Sequence, residues 1–267
     1  MLEYVPIYDV YAEEDRTMTS FILKITAMLS MIVDHVNSAF PGILNEEFVN
    51  IVGRLTFPIY AFMIVDSFRH LSGERMKKFM IILGVMAVIS EPAFDRAFFG
   101  SFYFPWVQNQ LPQFFTFGLA FICAGKVRSG WQKTLIWIAV IVVNQISCIG
   151  YAGGGIVLML MYLWYLEHYK EKSLIWRFGS ITAITILTIP ILALSIFIMY
   201  FGMPWQYDLS PDYIMECLEV HYPILLTIPF TALYNGEYGN IPKWFRTIYR
   251  YFYPVHLWIL TLLSIFC

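Results

Sequence analysis

The sequence predicts an all-α fold, a polytopic integral membrane helical bundle of about nine transmembrane helices with a cytoplasmic N-terminus. Three observations carry this expectation. Of 267 residues, 59% are hydrophobic and 13% charged, about half the charged fraction of an ordinary soluble domain, and the mean hydropathy is +0.63. Apolar runs of about 17–25 residues recur along the chain, the length that a hydrocarbon core requires. The basic residues cluster in alternate loops, as cytoplasmic loops do.

Taken in order, residues 1–18 form a cytoplasmic leader, because MLEYVPIYDVYAEEDR is acidic where a signal peptide is basic. Residues 19–267 make one transmembrane domain with neither internal repeat nor linker. Its spans are placed at 19–40, 48–70, 78–97, 107–126, 132–148, 154–170, 178–202, 219–235 and 249–266. The fifth and sixth are separated only by the small-residue turn from Gly150 to Gly155. Pro58, Pro92, Pro190, Pro223, Pro229 and Pro254 fall inside spans and imply kinks. Asn-Gly in the YNGE segment, Tyr234 to Glu237, ends the eighth span with a turn.

The charges test this count. Arg69, Arg75, Lys77 and Lys78 follow span two; Lys126, Arg128 and Lys133 follow span four. Lys170, Lys172 and Arg177 follow span six, and Lys243, Arg246 and Arg250 follow span eight. Thirteen of the seventeen basic residues thus occupy even-numbered loops, whereas Glu46, Glu47, Asp208, Asp212, Glu216 and Glu219 occupy odd ones. The expected location is the cytoplasmic membrane of the cell, crossed many times. A net charge of -2 gives no argument for nucleic acid, and the four scattered cysteines form no CxxC pair, so they are read as packing residues.

Charges inside apolar spans are expensive and mark bundle interiors or cavities. His35 follows Lys24 by eleven residues, close to three whole turns and about 16 Å of helix, so both lie on one stripe running from the cytoplasmic rim to the outer half. Asp34, His35, Arg54, Glu91 and Asp95, from three consecutive spans, are expected in one outer layer, with Asn109 and Gln113 at the start of span four. Two readings stand: an ion-pair network pinning helices together, or an active site whose imidazole exchanges protons near neutral pH. A second layer at the inner rim gathers Lys24, Arg69, Tyr234, Asn235, Arg250 and His256, and an anionic cofactor or anionic lipid would meet it.

Six motifs, LKITAMLSMIVDHV, GRLTFPIYAFMIVDSFRH, ISEPAFDRAF, QNQLPQFFTFGL, LYNGEYG and YRYFYPVHLWIL, occur in an order that resembles the TraX family, integral membrane proteins associated with acetylation of conjugative pilin. The first helix is also similar to that of the acyltransferase-3 superfamily, in which a basic residue precedes a histidine by the same spacing as Lys24 and His35. The resemblance implies acetyl-CoA as acyl donor and an acceptor, a peptide or pilin amine or a glycan hydroxyl, near the outer half of the membrane. On that reading His35 is the base, oriented by Asp34 or Glu91, with Arg54 or Asn109 stabilising the oxyanion. Lys24, Arg69, Lys243, Arg246, Arg250, Tyr234, Asn235 and His256 hold the cofactor, and Asp95, Asn109 and Gln113 the acceptor. No metal is expected, since HExxH is absent and His70 and His256 are placed at a different depth from His35. A proton-coupled transporter or a conjugation scaffold is the competing expectation.

Overall fold

The computed structural model describes residues 18–201, 215, 218–237 and 239–266. The expected leader lies outside the described residues apart from Met18, as do Asp208, Asp212, Glu216 and the side chain of Lys243. The described residues form helices and no strand: α1 Ser20–Ala39, α2 Glu46–Gly53, α3 Thr56–His70, α4 Gly73–Phe99, α5 Leu111–Lys126, α6 Gly130–Ile146, α7 Ala152–His168, α8 Leu174–Phe201, a 3-10 helix Tyr222–Thr227, α9 Ile228–Ala232 and α10 Lys243–Phe266. Helix α1 packs on α2 and α3, α4 lies between α5 and α10, and α7 contacts α3, α6 and α8. Phe62, Phe68, Phe117, Tyr162 and Tyr165 fill the centre and are fully buried. Glu46–His70 and Leu174–Met199 are long and apolar enough to cross a membrane.

Span two, expected to be continuous over 48–70, is broken at Arg54 and Leu55. The cause is Pro58, which offers no N–H to the carbonyl of Arg54 and crowds it. The break is hydrogen bonded from α1. Ser30 Oγ donates to Val52 O at 2.5 Å and shares a 2.7 Å bond with Thr56 Oγ1, so α1 supplies polar partners where α2 gives way to α3. Gly53 packs directly on Asp34, where a Cβ would stand 2.7 Å from Oδ1.

The eighth span, expected over 219–235, is a composite of short helical pieces ending at Ala232. Pro223 and Pro229 each remove an N–H from the ladder, and the Thr227 and Thr231 hydroxyls turn back onto the carbonyls of Ile224 and Thr227. Most of the other helices begin earlier than the apolar runs suggested, α4 and α10 by the most. Helix α4 starts at Gly73 rather than 78 and α10 at Lys243 rather than 249, because their charged first turns are helical too.

The stretch from Gly150 to Gly155 is only partly a turn. Gly153, Gly154 and Gly155 belong to the first turn of α7, where each glycine admits a different neighbour: Ile141 of α6, Ser195 of α8 and Gln113 of α5. At the opposite end, the YNGE segment clamps the start of α1. Ser20 N donates to Glu237 O at 2.9 Å, and Asn235 N donates to Met18 O at 3.1 Å.

Candidate active site

Helices α1, α3, α4 and α10 enclose a cavity of about 640 Å³. Each contributes one helical stripe. From α4 come Arg75, Lys78, Phe79, Ile82, Leu83 and Met86; from α3, Thr56, Phe57, Tyr60, Ile64 and Ser67; from α10, Phe245, Arg246, Tyr249, Arg250 and Tyr253; from α1, Lys24, Met31, Asp34 and His35. The i, i+3, i+4 spacing within these stripes places their residues on one face of each helix. Along α1 the lining runs about 16 Å from Lys24 to His35. The end near Lys24 is basic, with Arg75, Lys78, Arg246 and Arg250 exposed there. The middle is aromatic and aliphatic, and Lys24 Nζ lies 5.2 Å from the centroid of the Tyr249 ring.

The far end is polar. His35 Nδ1 lies 2.7 Å from His256 Nε2, and the two rings are nearly coplanar at 20°. The Phe98 edge meets His35 with centroids 5.1 Å apart, and Phe252 stacks on His256 at 4.7 Å. Beside them, Arg54 at the α2–α3 break interacts with the carboxylate of Asp34 and hydrogen bonds the Tyr151 hydroxyl. Gln110 and Tyr253 complete this end. Gln110 Oε1 is buried with no protein partner at hydrogen-bond geometry, and the Tyr253 hydroxyl lies beside the Gln110 backbone. Such an apolar pocket with a few convergent polar groups has the form of a small-molecule site.

A family model described as TraX protein matches residues 20–264. The chain belongs to the TraX family. No curated protein and no solved structure matches it. The match begins with α1 and ends within α10, so every wall of the cavity lies inside the region that TraX proteins share.

Within this TraX chain the sequence-expected residues separate into those that line the cavity and those that build its frame. Lys24, Asp34, His35, Arg246 and Arg250 line it. Arg69 instead meets Asp66 at 3.4 Å, and Tyr234 donates to the same carboxylate at 2.8 Å. Asn235 closes a local turn by accepting from Glu237 N at 2.8 Å. The outer layer of five charges is likewise divided. Glu91 accepts from the backbone N–H of Asn109 at 3.2 Å and from its side-chain amide, which locks α4 to the start of α5. Asp95 accepts from Phe104 N at 2.8 Å. Gln113 is fully buried, donates to Ala152 O at 2.6 Å and accepts from Tyr151 N at 3.2 Å. It therefore positions Tyr151 and does not face the cavity.

Two expectations need correcting in this TraX chain. His256 does not lie in the inner layer but against His35. Because α10 begins at Lys243, His256 stands thirteen residues into the helix, about 20 Å along it, rather than the seven that a start at 249 implied. The side chain that hydrogen bonds the His35 ring is that of His256; Asp34, which was expected beside it, projects about 100° away on α1, and the Glu91 carboxylate is held by Asn109. Sequence reasoning also left Arg75, Lys78, Tyr151, Gln110 and Tyr253 out of the site. For Arg75 and Lys78 a signal existed, since they extend the Phe79, Ile82, Leu83 and Met86 stripe by one turn.

Proposed function

We propose that this chain is a multi-pass membrane acyltransferase. It moves an acetyl group from cytosolic acetyl-CoA to an acceptor at the outer half of the membrane, with the N-terminal amine of a peptide or pilin favoured. The cavity that joins a basic rim to a half-buried imidazole carries this reading. Arg75, Lys78, Arg246 and Arg250 suit the phosphates of the nucleotide, and the aromatic middle suits a pantetheine arm. His35 then stands where the thioester arrives. Exposed apolar side chains such as Val88, Ile146, Ile175, Leu194 and Phe266 support lipid as the solvent for the outer faces. The broken pieces from 218 to 232 suit a membrane where they are covered by α3 and α8. The basic rim marks the cytoplasmic side.

In the transfer step the acceptor nitrogen bonds to the thioester carbon while His35 takes its proton. The tetrahedral oxyanion is met by hydrogen-bond donors, for which the candidate on the cavity wall is the Tyr151 hydroxyl, backed by Arg54. The carbon–sulfur bond then breaks, and the imidazolium returns the proton to the CoA thiolate. A glycan hydroxyl would be served by the same base.

His35→Ala tests this assignment. In membrane vesicles supplied with acetyl-CoA, mass spectrometry of peptides and polysaccharides is expected to find acetylated acceptor with the wild type and at least about 10²-fold less with the variant. Full transfer by an inserted, folded His35→Ala protein would remove His35 from the mechanism. The absence of any acetylated product with the wild type would favour transport or scaffolding.

A further inference from the structure

The hydrogen bonds around His256 fix more than its position. A backbone carbonyl only accepts, so His256 Nδ1, 2.8 Å from Phe252 O, must carry a proton. In the neutral ring His256 Nε2 is then a lone pair. The contact of 2.7 Å between that atom and His35 Nδ1 is a hydrogen bond only if His35 Nδ1 carries the proton. The chain of donors therefore runs from His35 through His256 to the Phe252 carbonyl, and in neutral His35 the unprotonated atom is Nε2. Each link is held by packing: Phe252 stacks on His256, Phe98 meets His35 in an edge contact, and the Tyr253 ring lies T-shaped to both imidazoles, its centroid 6.3 Å from that of His35 and 5.6 Å from that of His256.

We propose that His256 is the positioning residue for His35, locking it in the Nδ1–H tautomer so that Nε2 is the atom that takes the acceptor proton. The role rests on the acyltransferase reading, whereas the tautomer does not. A carboxylate partner would hold the Nδ1 proton more strongly and stabilise the imidazolium. The neutral imidazole of His256 instead fixes orientation without adding a fixed negative charge, and as Nε2 gains a proton the Nδ1–H bond to His256 becomes charge-assisted.

The test uses the full-length protein in nanodiscs, labelled with 15N-histidine, with His35 and His256 assigned from their single variants. Nitrogen NMR is expected to show His35 protonated at Nδ1 and bare at Nε2. His256→Gln, whose amide oxygen accepts from His35 Nδ1 while its NH2 donates to Phe252 O, should keep that tautomer and most of the transfer rate. His256→Leu should release His35 into the other tautomer and lower kcat about 10²-fold, leaving the KM for acetyl-CoA within about two-fold, since His256 does not line the cavity. A merely structural role would lower both variants alike and leave the tautomer unchanged. His35 protonated at Nε2 in the wild type, or a His256→Leu protein with unchanged tautomer and kcat, would overturn the proposal. The NMR measurement needs no turnover, so a wild type without acetyl transfer would count against the acyltransferase reading and still decide the tautomer.

Discussion

Replacing Gly155 with alanine is expected to destabilise the protein, although the same change in an unconstrained helix stabilises by about 1 kcal/mol. An alanine Cβ at this position would stand 2.5 Å from Gln113 Nε2, 2.6 Å from Oε1 and 2.8 Å from Cδ. The amide cannot move away freely. It is fully buried, and its two hydrogen bonds, to Ala152 O and from Tyr151 N, hold the start of α7. Displacing it leaves two buried groups unpaired at about 1–3 kcal/mol each. Set against the gain in propensity, the net loss is roughly 1–5 kcal/mol, or a fall in Tm of roughly 2–20 °C. The assay is thermal unfolding in detergent, followed by tryptophan fluorescence, with Gly179→Ala as control. A Cβ at Gly179 of α8 meets nothing within 4 Å, so that variant should be as stable as the wild type or slightly more so. On a Gln113→Ala background the collision is gone, and Gly155→Ala should cost nothing further. A Gly155→Ala protein as stable as Gly179→Ala would refute this account of how α5 positions Tyr151.

Two further outcomes separate the cavity mouth from the frame around it. Arg246→Gln and Arg250→Gln should each weaken acetyl-CoA binding about two- to five-fold, the range for exposed charge pairs. The differences should vanish near 1 M salt, where screening acts within about 3 Å; titration calorimetry at two salt concentrations reads both. Tyr234→Phe removes the 2.8 Å bond to Asp66 and should lower stability by about 1–2 kcal/mol without changing acetyl-CoA affinity. A loss of affinity at unchanged stability would instead place Tyr234 in the binding site.

The helical class and most element positions were legible because composition and apolar run length report directly on burial and solvent. What the runs concealed was where charged residues continue a helix. Arg75 and Lys77 on α4, and Lys243 and Arg246 on α10, read as loop because apolar runs end where a helix meets a polar surface, although its hydrogen bonds do not. That same misplacement moved His256 by about two turns and hid its contact with His35, which lies 221 residues away in sequence. Glu91, Asp95, Asn109 and Gln113 were visible as unusual polar residues in apolar surroundings. Their function as locks between α4, α5 and α7 was not visible, because a buried carboxylate or amide looks the same in sequence whether it meets a substrate or a backbone N–H. Tyr151 was missed for the complementary reason: a tyrosine beside glycines resembles a turn until the Gln113 amide fixes it.

On the proposed function, one cavity links the basic rim to His35 and receives an acyl-CoA. Titrating the purified, folded protein in nanodiscs with acetyl-CoA tests it most directly. Binding is expected to be saturable, to be displaced by free CoA, to weaken with salt, and to be weaker for an acetyl-pantetheine fragment lacking the phosphates. Folded protein that binds no acetyl-CoA, or binds the fragment as tightly as the whole cofactor, would contradict it.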